Sequence, residues 1–429
     1  MLIRFEATNY RSVTAETELS MVAVDKDRDG TVPVELLNES LVNVAGVYGP
    51  NASGKSNVVA VLGWLRDAFA LSLRYWDEAI PHDPFAFGGG PARPSAFTLE
   101  LTVDGVRFEY NLEVDASRVL SESLYHYPKK IRRKVFERDG DDVDFQRGLG
   151  RLSGTRDLLT PRTLVMSVAP RFEEPLVTEF ARQVRLIQTL GPLPGRRGQR
   201  GRGLTYAGSY APTLSWFENA DRPSLFDAVA GDTLEGPDDR ERALALLRLA
   251  DLGIEDVRVD EEEVPLPDAP GTRTLRQLRL LHRLSGASTP LDYDEESRGT
   301  QTWFQLIGPV LQALRTGSLV VFDELDASLH PTLSAELIRL FKRKDTNPRG
   351  AQLLFTSHDT SLLRHLNRDE VWLTEKRNDG ATRLGSLAEF AGERVRQSAN
   401  LETGYLHGRF GAVPQVDEAE FLRALGLIG

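Results

Sequence analysis

The stretch GVYGPNASGKSN, residues 46–57, lies between an apolar run (Leu41, Val42, Val44, Val47) and another (Val58, Val59, Val61, Leu62). Inside it, Gly49 to Ser56 fit the pattern G-x-x-x-x-G-K-[ST]. The run before reads as a buried strand and the run after as a helix, the context that gives this pattern physical meaning. Phosphate oxygens are crowded anions that backbone N–H groups must approach closely, so the loop needs the small residues Gly49, Ala52, Ser53 and Gly54. The helix that follows turns its positive end toward the same anion. Lys55 is expected to reach the β and γ phosphates and the Ser56 hydroxyl to take one position on Mg2+, with Asn51 and Asn57 in the same nucleotide-binding set.

A second constellation lies far downstream. GSLVVFDELDASLHP (317–331) is an apolar strand, Leu319 to Phe322, ending in Asp323 and Glu324. Carboxylates at the C-terminal edge of a strand belong at the ligand crevice of an open α/β sheet. Asp323 is expected to hold Mg2+ through its water shell and Glu324 to polarise the attacking water. AQLLFTSHDTSLL (351–363) supplies another short apolar strand ending at His358. Between the two constellations, Ser297 and Gly299 precede a helical stretch, Thr302 to Leu314, which offers a second helix N-terminus to a phosphate.

Elsewhere the chain reads as mixed α/β. Residues 2–6 and 18–24 are strand-like, and AFTLELTVDGVRFEYNLEV alternates on both sides of Asp104-Gly105, a hairpin signal. From about 155 to 250 the pattern turns helical, most clearly in DDRERALALLRLADLG, and 274–284 returns to alternation. DEAEFLRALG (417–426) reads as a closing amphipathic helix.

With no cysteine, disulfides, thiolate zinc sites and cysteine nucleophiles are excluded. The net charge of −11 repels a nucleic-acid backbone unless a local patch overrides it. Two such patches exist, PKKIRRKVF (128–136) and GRRGQRGRG (195–203), so nucleic acid is a candidate partner through 129–134 or 196–202. No stretch reads as long enough to span a bilayer, and MLIRFEATNYRS has no apolar signal core; a cytoplasmic location without membrane contact is expected.

With these pieces in order, the sequence resembles ABC-type ATPases of the SMC/RecF/OLD-like branch. Walker A is 49–56, Walker B is 319–324, LDASLHP (325–331) is similar to the D-loop with Asp326, His358 matches the switch histidine, and ESRGT matches the signature segment through Ser297 and Gly299. NYRSV (9–13), DLGIEDVRV (251–259), TSHD and YLHGRFGAVP (405–414) narrow the resemblance to a prokaryotic AAA15-type family with AbiL-like and RloA-like antiphage groups. Arg11 matches that family's early basic residue near the nucleotide. A Q-loop is missing, and HDPFAF (82–87) stands in its place.

The resemblance implies an ABC-type P-loop NTPase core with a β-rich N-terminal lobe (1–125), an inserted, mainly helical region (126–255), a C-terminal lobe (256–375) and a tail (376–429). It implies ATP and Mg2+ as cofactors and two ATP molecules sandwiched in a head-to-tail homodimer, with higher assembly open. A separately encoded nuclease or toxin-like effector is the expected partner, because only about 70 residues follow His358, too few for a further catalytic domain. A RecF-like DNA-binding repair ATPase and an assembly scaffold with slow turnover are the alternatives.

Overall fold

A computed structural model describes residues 1–192, 211–217, 238–251, 253–265, 272–284, 287–391 and 401–412. The basic stretch 195–203 and the expected helix at 417–426 lie outside them. The chain begins with strands β1 (Leu2–Thr8) and β2 (Thr17–Ser20), a small hairpin β3 (Thr31–Val34) and β4 (Glu39–Val42), and then β5 (Val44–Tyr48), which runs into the glycine-rich loop. Helix α1 (Lys55–Tyr75) follows. Next come β6 (Ser95–Val103), β7 (Val106–Val114), β8 (Val119–Tyr127), β9 (Arg133–Asp139) and β10 (Asp142–Phe145). With β1 and β2 these five form an antiparallel sheet in the order β10-β9-β8-β7-β6-β1-β2. The β6–β7 hairpin turns at Asp104 (φ 48°) and Gly105 (φ 78°), the doubly left-handed pair that a two-residue turn requires.

The second sheet is assembled from distant pieces: β11 (Gln188–Leu190), β15 (Leu319–Phe322), β16 (Gln352–Thr356), β5, β17 (Val371–Lys376) and β18 (Thr382–Ser386), in that order. All neighbours are parallel except β17 and β18. Its central strands β15, β16 and β5 are buried throughout and mostly apolar because both faces are covered. Ala45, Val47, Val321 and Leu354 point to one core with α1 and the antiparallel sheet, whereas Val44, Tyr48, Val320, Phe322, Leu353 and Phe355 point to the other. That second core is filled from the helices Arg298–Thr316 and Pro331–Lys342, through Phe304, Ile307, Leu337 and Ile338.

Helix α1 is wedged between the sheets. Trp64 stacks on Phe97 (centroids 4.5 Å apart), and Phe69 meets Tyr110 edge-on at 4.9 Å. Against the expectation above, its 21 residues are long and apolar enough to cross a membrane by length and composition, but most of that stretch is buried between the two sheets. The apolar surplus is the signature of a helix with two covered sides.

A third sheet, β12 (Ile254–Pro265), β13 (Thr272–Leu284) and β14 (Ala287–Asp292), follows the helix Asp238–Ala250 and leads into Arg298–Thr316. That last helix carries Pro309 in its interior. The Thr213 hydroxyl is inserted into the ladder one residue earlier, accepting from Gly308 N at 2.9 Å and donating to Phe304 O at 2.6 Å, so the groups displaced there stay bonded.

Three local expectations are revised. The antiparallel sheet continues to Phe145, so β8 runs across the border expected at residue 125 and β9 and β10 lie beyond it. The region 155–250 is interrupted by β11, three residues too short to register as a period in sequence. The second strand ends at Ser20 rather than 24, and Val22 makes only an isolated bridge to Leu41.

Candidate nucleotide site

The parallel strands deliver their C-terminal ends to one edge, and the chemistry is there. β5 ends in the glycine-rich loop, β15 in Asp323-Glu324 and β16 in Ser357-His358. The loop uses positive-φ backbone, which Gly49 (φ 154°) and Gly54 (φ 101°) adopt freely and Ala52 (φ 60°) adopts at a steric cost. Close approach fixes the glycines as firmly as torsion does. A Cβ on Gly54 would sit 1.9 Å from Thr382 Oγ1, and one on Gly49 would sit 2.4 Å from Thr374 O. Gly54→Ala is therefore expected to cost roughly 2–4 kcal/mol, from left-handed strain plus overpacking, and to displace the loop. A melting temperature unchanged within a degree would contradict this.

The loop is braced by hydroxyls from distant parts of the chain. Ser53 Oγ and Thr374 Oγ1 are 2.6 Å apart, and Thr374 donates to Tyr48 O at 3.1 Å. Thr382 Oγ1 lies 2.9 Å from Ser53 O and 2.7 Å from Ser12 Oγ, and Asn57 donates to the same Ser12 hydroxyl at 2.7 Å. Thr374 and Thr382 lie in no motif named above, and Ser53 and Thr382 are 329 positions apart, so only the folded sheet reveals the brace.

Lys55 is buried, its Nζ donating to Gly49 O at 3.0 Å and Pro50 O at 3.2 Å. Burial pulls its pKa below the ordinary lysine value, and the carboxylates of Asp326, Asp323 and Glu324 push it back up. The same three acids act on His358, whose pKa is lowered first by partial desolvation, although the residue keeps an exposed surface, and then by the Lys55 ammonium, a shift that favours the neutral ring. The structure thus brings Lys55, Asp323, Glu324, Asp326 and His358 into one electrostatic neighbourhood. Asp326 Oδ1 accepts from the His358 backbone N at 3.1 Å, tying the loop after β15 to the end of β16.

Asp323 is 1% exposed, and its backbone N donates to Leu190 O at 3.0 Å. Its Oδ1 accepts from Thr356 Oγ1 at 2.7 Å. Ser56 begins α1 beside Lys55. A hydroxyl and a carboxylate are oxygen donors of the kind a hard divalent cation takes, and phosphates and water commonly complete such a shell. Among the described residues no group of three or more His, Asp or Glu side chains is arranged to hold a metal.

A family model described as "AAA domain, putative AbiEii toxin, Type IV TA system" matches residues 44–164 and 203–364, well over half of the chain. The chain belongs to this AAA-domain family. No curated protein matches it. Among solved structures, SMC heads align over 90% of the chain at 12% identity: one bound to the C-winged helix domain of ScpA (97% of that chain, TM-score 0.42) and one from Thermotoga maritima (98%, 0.39). A third, with an extended coiled coil and bound to the C-terminal domain of ScpA derived from Pyrococcus furiosus, aligns over 97% of its own length at a TM-score of 0.40.

In this AAA-domain protein the remaining candidate residues are placed as follows. Ser297 caps the helix Arg298–Thr316, its Oγ accepting from Thr300 N at 3.1 Å, and Ser297, Arg298 and Gly299 are exposed. Arg11 lies against Asp83, with Nη2 3.3 Å from Oδ2 and its backbone N donating to Asp83 O at 2.7 Å. The HDPFAF segment is thereby fastened to the turn that carries Ser12. Asn51 and Ala52 are exposed at the loop crest. His330 caps the next helix through Nδ1, which accepts from Thr332 N at 3.3 Å, a structural role for the His-Pro pair.

The basic stretch 129–134 is partly neutralised. Arg132 sits 3.6 Å from the Tyr125 ring centroid and pairs with Glu109 at 3.2 Å, and Lys134 pairs with Asp144 at 2.6 Å. Lys129 and Lys130 are exposed beside Ile131, so the cationic field at this hairpin tip is weaker than the sequence count suggests.

Proposed function

We propose that this AAA-domain ATPase is a nucleotide-gated regulator that hydrolyses ATP in a composite site between two copies of the chain and controls a separate effector in an antiphage, abortive-infection-like module. The observation that carries the proposal is that the chain presents two helix N-termini suited to phosphate, one at the glycine-rich loop and one at Ser297. Lys55, Asp323, Glu324, Asp326 and His358 share one neighbourhood, and a second helix N-terminus, capped by Ser297, is exposed at Ser297–Gly299. A second copy is its natural client, with two-fold symmetry completing both sites. The family description, which names a toxin of a toxin–antitoxin system, supports the defence setting.

Each residue has a role in such a site. The loop amides and Lys55 cradle the phosphates; Ser56 and Asp323 would hold Mg2+, which supplies charge neutralisation when bound. Glu324 orients the attacking water and takes its proton. Neutral His358, held against Asp326 through its backbone, faces the terminal phosphate. Ser297 arrives from the partner, so turnover waits on closure and is slow. ATP favours the closed pair by its differential affinity for it.

Light scattering tests this. With Mg2+ and ATP the mass should double, and Ser297→Arg should prevent doubling while each protomer still binds nucleotide within about threefold of the unaltered affinity, since its own site lacks Ser297. A protein that stays monomeric at saturating ATP would remove the composite site. Normal turnover by Ser297→Arg would do the same.

A further inference from the structure

The two acids at the end of β15 differ in what holds them. Asp323 is buried and follows a regular strand; Glu324 adopts φ 54° and ψ 56°, a left-handed conformation uncommon for a residue with a long side chain. One hydroxyl serves both. Thr356 Oγ1 donates to Asp323 Oδ1 at 2.7 Å and accepts from the Glu324 backbone N at 2.7 Å. Strand register explains the meeting: β15 and β16 pair in parallel up to Phe322 opposite Phe355, so Asp323 and Thr356 emerge side by side.

We infer that Thr356 is a positioning residue that sets both acids at once, aiming the Asp323 carboxylate at the cation and fixing the backbone from which Glu324 reaches the water. The inference rests on the roles given above to Asp323 and Glu324. Thr356 is fully buried, so no water replaces its hydroxyl. A carboxylate can only accept and a backbone N–H can only donate, so the hydroxyl proton has one place to lie, toward Asp323. The β-branched side chain adds a restricted χ1, which keeps the oxygen between the two strands. Thr356 also stands two residues before His358, so any shift of β16 that carries the histidine carries the support of the acids with it.

Thr356→Val keeps shape and loses both bonds; Thr356→Ser keeps both bonds and loses a methyl. In Thr356→Val the Mg2+ concentration that half-saturates binding of a fluorescent ATP analogue should rise about fivefold or more, and kcat should fall about tenfold or more. Affinity for the analogue at saturating Mg2+ should stay within about threefold, because the loop and Lys55 are untouched. Thr356→Ser should restore both quantities.

Wild-type Mg2+ dependence in the valine variant overturns the inference, and so does equal impairment of valine and serine variants, which would assign the effect to methyl packing. If the unaltered protein hydrolyses no ATP, the ATPase reading fails, and the Mg2+ dependence of binding still decides the role of Thr356. Should the valine variant prove insoluble, Thr356→Cys supplies a similar volume with a weak hydrogen-bonding group, and the same readouts apply.

Discussion

Lys55→Ala is expected to weaken nucleotide binding by about a hundredfold or more while leaving the fold intact. The ammonium is buried at the loop and bonded to two carbonyls of that loop, Gly49 O and Pro50 O, which hold its side chain curled across the phosphate position. Exchanging those neutral acceptors for phosphate oxygens pairs the ammonium with ionised acceptors, and hydrogen bonds to charged groups are worth about 1.5–3 kcal/mol each. Two such bonds account for the hundredfold. Loss of the lysine also removes the cation that faces Asp326, Asp323 and Glu324, so the three acids repel one another and any bound phosphate more strongly. The same change should raise the His358 pKa, since the ammonium is one of the causes depressing it. A fluorescent ATP analogue measures the affinity and an NMR titration of the histidine the second effect. Affinity within threefold of the unaltered protein would mean that phosphate binds elsewhere.

Much of this site was legible in the sequence because its parts are local. The glycine-rich loop, the acids after an apolar strand and the histidine after another each report their own strand end, and a parallel sheet gathers strand ends on one edge. The hairpin at Asp104-Gly105 was legible for the same reason: two adjacent residues dictate the turn. What escaped were contacts with no local period or motif. β11 is three residues long yet closes the sheet beside β15 and fastens Asp323 through Leu190. Thr374 and Thr382 look like ordinary strand threonines until register places their hydroxyls against Ser53 and Ser12, and Thr356, though it opens TSHD, shows its partner Asp323 only in the folded sheet. The length and apolarity of α1 hid a different fact, that a helix covered on two sides by sheets meets the compositional test for a membrane span.

Glu324→Gln should abolish measurable hydrolysis, lowering kcat by about 10²–10⁴, the range general-base removal produces, while nucleotide binding persists. The substitution preserves volume and leaves the main-chain bond from Glu324 N to Thr356 untouched, so the left-handed backbone at φ 54° is retained and only the proton acceptor is lost. With opening coupled to hydrolysis, the ATP-bound pair should then persist, and light scattering should show a dimer that outlives the one formed by the unaltered protein. The backbone strain provides an internal control. Glu324→Gly removes the same acid and also the Cβ that makes this conformation unfavourable, so it should gain about 1 kcal/mol of stability from relieved strain, against the added chain entropy of glycine, while remaining inactive. A glutamine variant that turns over ATP at the normal rate would move the general base elsewhere. A glycine variant that is destabilised by more than about 1 kcal/mol would mean that the Glu324 side chain itself, not only its backbone, holds the edge of the sheet together.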